Sequence, residues 1–168
     1  MKNTLRKIEL RDISRLSELL MAFWKSQLCS PSESDVLEDI RRMLDPKGIG
    51  RLVCHGDDIA GFIYVNEKYG YLNNIEYLYI DKAFRGKGLA TFAIEEIKKM
   101  VLAKDNERVQ IEVSPNNVRA LKLYHRLGFT SIDTVTLSTG IAGKTEDIVL
   151  RDLTFRINPK EAFQKSEK

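Results

Sequence analysis

The stretch Arg85-Gly86-Lys87-Gly88-Leu89-Ala90 constrains this chain more than any other. It stands between an apolar run at 71–81 that reads as a strand and a run at 88–104 that reads as a helix. Two glycines at a strand-to-helix turn leave backbone N–H groups uncovered. The first turn of the following helix adds unpaired donors and a partial positive charge. Arg85 and Lys87 add formal charge beside it. Such a turn is built to hold a pyrophosphate, so a phosphorylated cofactor is expected there. Two familiar nucleotide motifs are missing. There is no Gly-x-x-x-x-Gly-Lys-Ser/Thr, and the full Gly-x-Gly-x-x-Gly fingerprint fails along with its acidic ribose reader, which argues against a P-loop NTPase or a Rossmann dehydrogenase.

The element pattern narrows the architecture. Leu5, Ile8 and Leu10 mark a strand over 4–11, and Asp12 stands at an N-cap position before a helix whose Ile13, Leu16, Leu19, Leu20 and Phe23 recur at helical steps. Ser30-Pro31-Ser32 breaks that helix. A second, over 32–45, carries Val36, Leu37, Ile40, Met43 and Leu44 and stops at Asp45-Pro46. Strands follow at 50–55, 58–66 and 71–81, with turns at Gly56-Asp57-Asp58 and Glu67-Lys68-Tyr69-Gly70. After the helix 88–104 come a strand at 108–113, a helix at 117–127 closed by Gly128, and strands at 129–138 and 147–156 around a turn at Gly140 to Lys144. This order does not alternate strictly, so the expectation is an α+β fold with a mixed sheet covered by helices. At 168 residues the chain fits one domain, 1–157, with a polar tail at 158–168.

Composition bears mainly on partners. The formal net charge of +3 is too small for a nucleic-acid footprint. Lys98, Lys99 and Lys104 follow Glu95 and Glu96, which reads as a solvated helix face. Cys29 and Cys54 have neither metal-type nor CxxC spacing, so no metal site and no disulfide are expected. No run is long and apolar enough to span a membrane and the N-terminus lacks a signal-peptide core, which makes a cytoplasmic location the expectation.

The strand Asn74-Ile75-Glu76-Tyr77-Leu78-Tyr79-Ile80-Asp81 and the turn after it resemble the acyl-CoA motif of the GNAT superfamily of N-acetyltransferases, Arg/Gln-x-x-Gly-x-Gly/Ala. A second segment, Asn117-Val118-Arg119-Ala120-Leu121-Lys122-Leu123-Tyr124-His125-Arg126-Leu127-Gly128-Phe129, resembles the superfamily's Asn-x-x-Ala-x-x-Leu-Tyr-x-x-x-Gly-Phe. The resemblance covers roughly residues 4 to 156. It implies a mostly antiparallel central sheet of about seven strands with a splayed central pair, flanked by about four helices. It also implies acetyl-CoA as co-substrate, its pyrophosphate on the amides of Arg85, Gly86, Lys87, Gly88, Leu89 and Ala90. The pantetheine arm would run along Leu78, Tyr79 and Ile80, whose backbone groups would hold its amides and polarise the acetyl oxygen. Transfer to a primary amine would be direct, with no covalent acetyl-enzyme.

An ammonium cannot attack a thioester, so its proton must leave. Glu76 is the one carboxylate inside an apolar, aromatic strand segment, and several amine acetyltransferases of the superfamily use a glutamate at the matching position as base. It also fits a structural or substrate-contacting carboxylate, with water or backbone taking the proton. Tyr124 matches the superfamily's usual general acid, a phenol that protonates the departing thiolate, although a core tyrosine is the ordinary fate of such a residue. Asn117 lies two helical turns before it on the same face and combines an N-cap with a cofactor contact.

His55 and His125 have no partner that argues for catalysis. Trp24, near the end of the first helix, reads as core, although the connection after that helix borders the acceptor pocket in the superfamily. Glu33, Asp35, Glu38 and Asp39 form an acidic cluster that weakly favours a small cationic amine such as a polyamine or aminoglycoside. Arg41 and Arg42 follow it, so a solvated helix face accounts for it as well. A protein N-terminus or lysine as acceptor, and a non-catalytic acyl-CoA-binding module, stay open. The sequence does not fix an oligomeric state; dimers are common in the superfamily, and 129–156 is the natural place for pairing.

Overall fold

The sheet is set by three long strands with near-continuous apolar runs. In the computed structural model, β1 (Asn3–Lys7), β2 (Ile49–His55), β3 (Asp58–Lys68), β4 (Tyr71–Ile80) and β5 (Gln110–Ile111) form one sheet in the order β1-β2-β3-β4-β5. The structure describes residues 1–68, 71–103, 108–140 and 144–157, the side chains of Tyr71 and Leu72 excepted. Neighbours are antiparallel except β4 and β5, which pair in parallel. Helices α1 (Ile13–Ser26), α2 (Glu33–Leu44), α3 (Leu89–Leu102) and α4 (Val118–Arg126) complete the secondary structure together with the hairpin β6 (Glu146–Leu150) and β7 (Leu153–Ile157). The chain divides into two compact units, Met1–Glu112 and Val113–Lys168.

In the first unit, alternate strand residues serve two layers. Leu52, Cys54, Phe62, Tyr64, Tyr77 and Tyr79 pack with Leu16, Leu19 and Leu20 of α1 and Val36, Ile40 and Met43 of α2. The residues between them, including Val53, Ile63, Val65 and Ile75, are buried with Leu89, Ala93, Ile94, Ile97 and Val101 of α3, which packs on β1, β2 and β4. Each large side chain fully buried this way contributes about 1.5–3 kcal/mol. The end of α2 lies so close to β2 that a Cβ on Gly50 would strike the Met43 carbonyl.

The helix ends are built locally. Ser32 caps α2 by accepting from the Asp35 N–H at 3.3 Å, and Asp35 returns the bond by accepting from the Ser32 N–H at 2.8 Å. At α1 the expected role of Asp12 changes. Its side chain makes no cap bond to the helix; it accepts from the Glu9 N–H across a 3₁₀ turn (Leu10–Asp12) and from the Arg6 guanidinium at 2.7 and 2.8 Å. The guanidinium holds the buried Asp12 carboxyl below the usual carboxylate range.

The strand expectations are corrected in three places. The central sheet has five strands among the described residues rather than about seven, and β5 keeps only two residues of the expected 108–113. Residues 129–138 form no strand: they are exposed apart from Phe129, and among the described residues no neighbour supplies a ladder, without which alternating apolar residues do not make one. The single strand expected at 147–156 is the hairpin β6–β7. Arg151 and Asp152 form its two-residue turn with φ of 53° and 65°, the left-handed pair that lets a tight hairpin follow the strand twist. The turn at Tyr69-Gly70, the residue Lys104, most of the turn between Gly140 and Lys144, and the tail 158–168 lie outside the described residues.

Candidate active site

The outer edge of β4 changes character half-way along. Asn74 and Ile75 pair with Gln110 and Ile111 of β5; from Glu76 onward that edge has no strand partner among the described residues. On its other side β4 remains paired to β3 as far as Ile80, and the Asp81 N–H donates to the Ala60 carbonyl at 2.8 Å. Strand alternation then turns the backbone groups of Leu78 and Ile80 towards the open edge. The Ile80 carbonyl is taken by Arg85 Nε at 3.0 Å, and the Arg85 guanidinium lies 5.6 Å from the centre of the Tyr79 ring. Arg15 of α1 anchors the strand end by donating to Asp81 at 2.6 Å and holds that carboxyl below its ordinary range.

Past Asp81 a 3₁₀ turn (Lys82–Phe84) leads into the glycine segment. Gly86 and Gly88 have φ of +81° and +75°, the left-handed region that disfavours any residue with a Cβ. Nothing lies within 4 Å of the space a Cβ would fill at either position. Gly88 is the N-cap of α3, so the N–H groups of the first helical turn point into this cradle. Among the described residues the N–H groups of Gly86, Lys87 and Gly88 donate to no backbone acceptor.

Glu76 is set by a β-bulge. Tyr77 pairs with Tyr64 and Ile75 with Val65, so Glu76 is the extra residue on β4. The insertion lets consecutive Glu76 and Tyr77 face the same helix layer. Glu76 Oε2 accepts from Arg42 Nη2 of α2 at 2.5 Å and from Asn66 Nδ2 of β3 at 2.6 Å; Oε1 accepts nothing among the described residues. Asn74 donates to Asn66 Oδ1 at 3.0 Å and orients that amide. Arg42 Nη1 donates to the Tyr77 hydroxyl at 3.0 Å, and Tyr77 donates to Asp39 Oδ1 at 2.8 Å. Asp39 Oδ2 accepts from Trp24 Nε1 at 2.8 Å. Burial and the Asp39 bond push the Tyr77 phenol well above its ordinary range, so it remains a donor.

Beside this network, Trp24, Pro31, Asp35, Glu38, Asp39 and Arg42 line a cavity of about 300 Å³. The acidic cluster is therefore split. Glu33 and Glu38 are exposed and Asp35 serves the Ser32 cap, but Asp39 is buried, which corrects its reading as part of a solvated face. Its position gave the signal, since residue 39 falls on the helical stripe of Val36, Ile40 and Met43. Trp24 is half-buried, both packed on Phe23 and Tyr77 and lining the cavity. Arg42 and Asn66 are the site residues that sequence reasoning missed. Arg42 lies one helical turn after Asp39, and Asn66 is the polar residue after the apolar run of β3. His55 is structural, bonded to Asn3 at 2.8 Å.

In the second unit, Asn117 caps α4 by accepting from the Ala120 N–H at 3.2 Å. Tyr124, two turns on, packs edge-on against Phe129 with ring centres 6.0 Å apart. Its hydroxyl has no partner among the described residues, and burial pushes the phenol up.

The pattern of the acetyltransferase (GNAT) family matches residues 13–129, more than half of the sequence. The chain belongs to the GNAT family. A relative from Escherichia coli, streptothricin acetyltransferase, is 32% identical over 112 residues, which are 66% of this chain and 63% of the relative. Just under two thirds of that relative's length is therefore spanned. Among solved structures, an aminoglycoside acetyltransferase, AAC(6')-Iy in complex with the bisubstrate analogue CoA-S-monomethyl-acetylneamine, superposes with a TM-score of 0.70 at 15% identity, covering 84% of this chain and 100% of that one. The PaiA N-acetyltransferase from Thermoplasma acidophilum in complex with coenzyme A gives 0.62 at 19% identity, covering 80% and 94%. At such identities these likenesses establish the GNAT fold, mixed α+β with a mainly antiparallel sheet. Among the described residues no helix is long and apolar enough to cross a membrane.

Proposed function

We propose that this protein transfers an acetyl group from acetyl-CoA directly to the primary amine of a small cationic acceptor. The observation that carries the reading is the open edge of β4, which starts at Glu76 and runs to the cradle at Gly86 and Gly88. The residues present suit the co-substrate. Uncovered N–H groups and a helix N-terminus match a pyrophosphate, and the backbone groups of Leu78 and the N–H of Ile80, which face the open edge, match the amides of a pantetheine arm. Lys87, Arg85, Leu89 and Ala90 complete that segment. When bound, acetyl-CoA supplies the activated acyl group.

The chain's own residues then supply proton movement and orientation. Glu76, held at Oε2 and open at Oε1, takes the acceptor's proton directly or through water. The N–H groups facing the open edge orient and polarise the acyl oxygen. Tyr124 returns a proton to the leaving thiolate; a phenol kept protonated by burial supports that role, as does the family motif around it. Asn117 caps the helix that carries Tyr124 and contacts the cofactor. Asp39, Glu38 and Trp24 offer an ammonium opposite charge and an aromatic wall, and the relatives named for streptothricin and aminoglycoside acetylation point to the same acceptor chemistry.

Release of free thiol from acetyl-CoA across a panel of polyamines, aminoglycosides, streptothricin, amino acids and short peptides tests the reading. Turnover confined to small polycations is the expected outcome. Turnover with peptides alone would replace the acceptor class, and silence across the panel with intact acetyl-CoA binding would favour a non-catalytic module.

A further inference from the structure

Arg42 stands at the junction of everything described on the α2 side of the sheet. Its Nη2 donates to Glu76 at 2.5 Å and its Nη1 to Tyr77 at 3.0 Å, with Asp39 3.5 Å away. Its guanidinium lies 5.6 Å from the Tyr64 ring centre and 5.9 Å from that of Tyr77. It lines the cavity of about 300 Å³ with Trp24 and Asp39, and a second of about 180 Å³ with Asp45, Lys47, Gly48, Tyr64 and Glu67. A side chain that borders two cavities while clamping the Glu76 carboxylate does more than neutralise α2. The clamp is geometrically specific: the bulge leaves Glu76 unpaired on β4, so its aim depends on side-chain partners rather than on the ladder.

We infer that Arg42 is a positioning residue for acetyl transfer, one that fixes Glu76 through Oε2 so that Oε1 faces the acceptor. The inference rests on the proposed role of Glu76. The groups facing Glu76 are few. Arg42 of α2 and Asn66 of β3 bond it, and Tyr64 of β3 and Tyr77 of β4 lie near enough to feel its charge. Lys47 and Glu67 border the smaller cavity. Arg42 alone among them sets a positive charge directly on the carboxylate. Its own guanidinium is held charged by that contact. Asn66 shares Oε2 and adds a second bond without charge.

The test is a double-mutant cycle in kcat at saturating acetyl-CoA, for wild type, Arg42→Gln, Arg42→Lys, Glu76→Gln and Arg42→Gln/Glu76→Gln, on the acceptor that turns over best. In Arg42→Gln kcat should fall roughly tenfold or more while acetyl-CoA affinity stays unchanged, because the carboxylate loses its aim. Arg42→Lys, which keeps the charge and loses the fork, should lose kcat severalfold as well. The double variant should be no slower than Glu76→Gln alone. A wild-type kcat in folded Arg42→Gln overturns the inference, and so does a double variant slowed by the full product of the two single losses. A wild-type kcat in Arg42→Lys does the same, the result that decides the matter if Arg42→Gln fails to fold. Glu76→Gln separates the layers: if it retains the wild-type kcat, the base reading itself has failed. If it loses activity while Arg42→Gln keeps it, only the inference about Arg42 has.

Discussion

The two faces of the sheet were built to different rules. On the α3 side, Val53, Ile63, Val65 and Ile75 of the sheet are buried, as are Ala93, Ile94, Ile97 and Val101 of the helix. Against α1 and α2 an equally buried layer contains a chain of polar groups running from Trp24 through Asp39, Tyr77 and Arg42 to Glu76 and Asn66. Burying polar groups costs about 1–3 kcal/mol for each left unpaired, whereas an apolar layer carries no such liability. The α3 helix supplies an apolar reference. The polar network on the other side is what the proposed chemistry would use.

Substitutions on either side put this contrast at risk. The largest effect is expected at Glu76→Gln: kcat/KM should fall by about 10²–10⁴-fold, and the limb of the pH–rate profile that rises with pH should vanish, with little change in melting temperature. A variant that unfolds yet keeps its specific activity would erase the distinction. Gly88→Val, at the N-terminal end of α3, should weaken acetyl-CoA binding in calorimetry at least a hundredfold, because a β-branched residue cannot hold the left-handed backbone of the cradle. Normal affinity there would remove the pyrophosphate site. Ile94→Ala, in the apolar face, should destabilise the protein by about 2–5 kcal/mol in denaturant titrations while leaving the pH profile of the surviving enzyme where it was. Tyr124→Phe provides a reference in the second unit. Turnover should drop roughly tenfold or more at unchanged acetyl-CoA affinity, and an unchanged rate would remove Tyr124 as the acid.

Legibility in the sequence followed the range of the interactions. The helices were readable because caps and stripes are local: α2 begins after Ser32 and ends beside Asp45-Pro46, and Gly88 opens α3 where a positive φ was needed. The three long strands were readable from their apolar runs. Where an outcome depended on a distant partner, reading failed. A period-two pattern at 129–138 found no neighbouring strand, and Arg151-Asp152 adopted a turn usually signalled by Asn-Gly. At the site, the glycine turn and Glu76 could be picked out because each stands alone against its surroundings. Arg42 and Asn66 could not, since their meaning comes from the carboxylate they reach across the sheet. Asp39 lay between the two cases: its place on the buried stripe was visible, but its partners Trp24 and Tyr77 were not.

The bulge in β4 has a consequence for how such a carboxylate could be gained or lost. Taking Glu76 out of the strand would leave Asn74, Ile75, Tyr77, Leu78 and Tyr79 in unbroken alternation, each apolar side chain already on its proper face. The acidic group is thus a supernumerary residue in a layer that closes without it. On the proposed role of Glu76, a single-codon insertion or deletion at this point would add or remove the base while the hydrophobic frame on either side keeps its alternation.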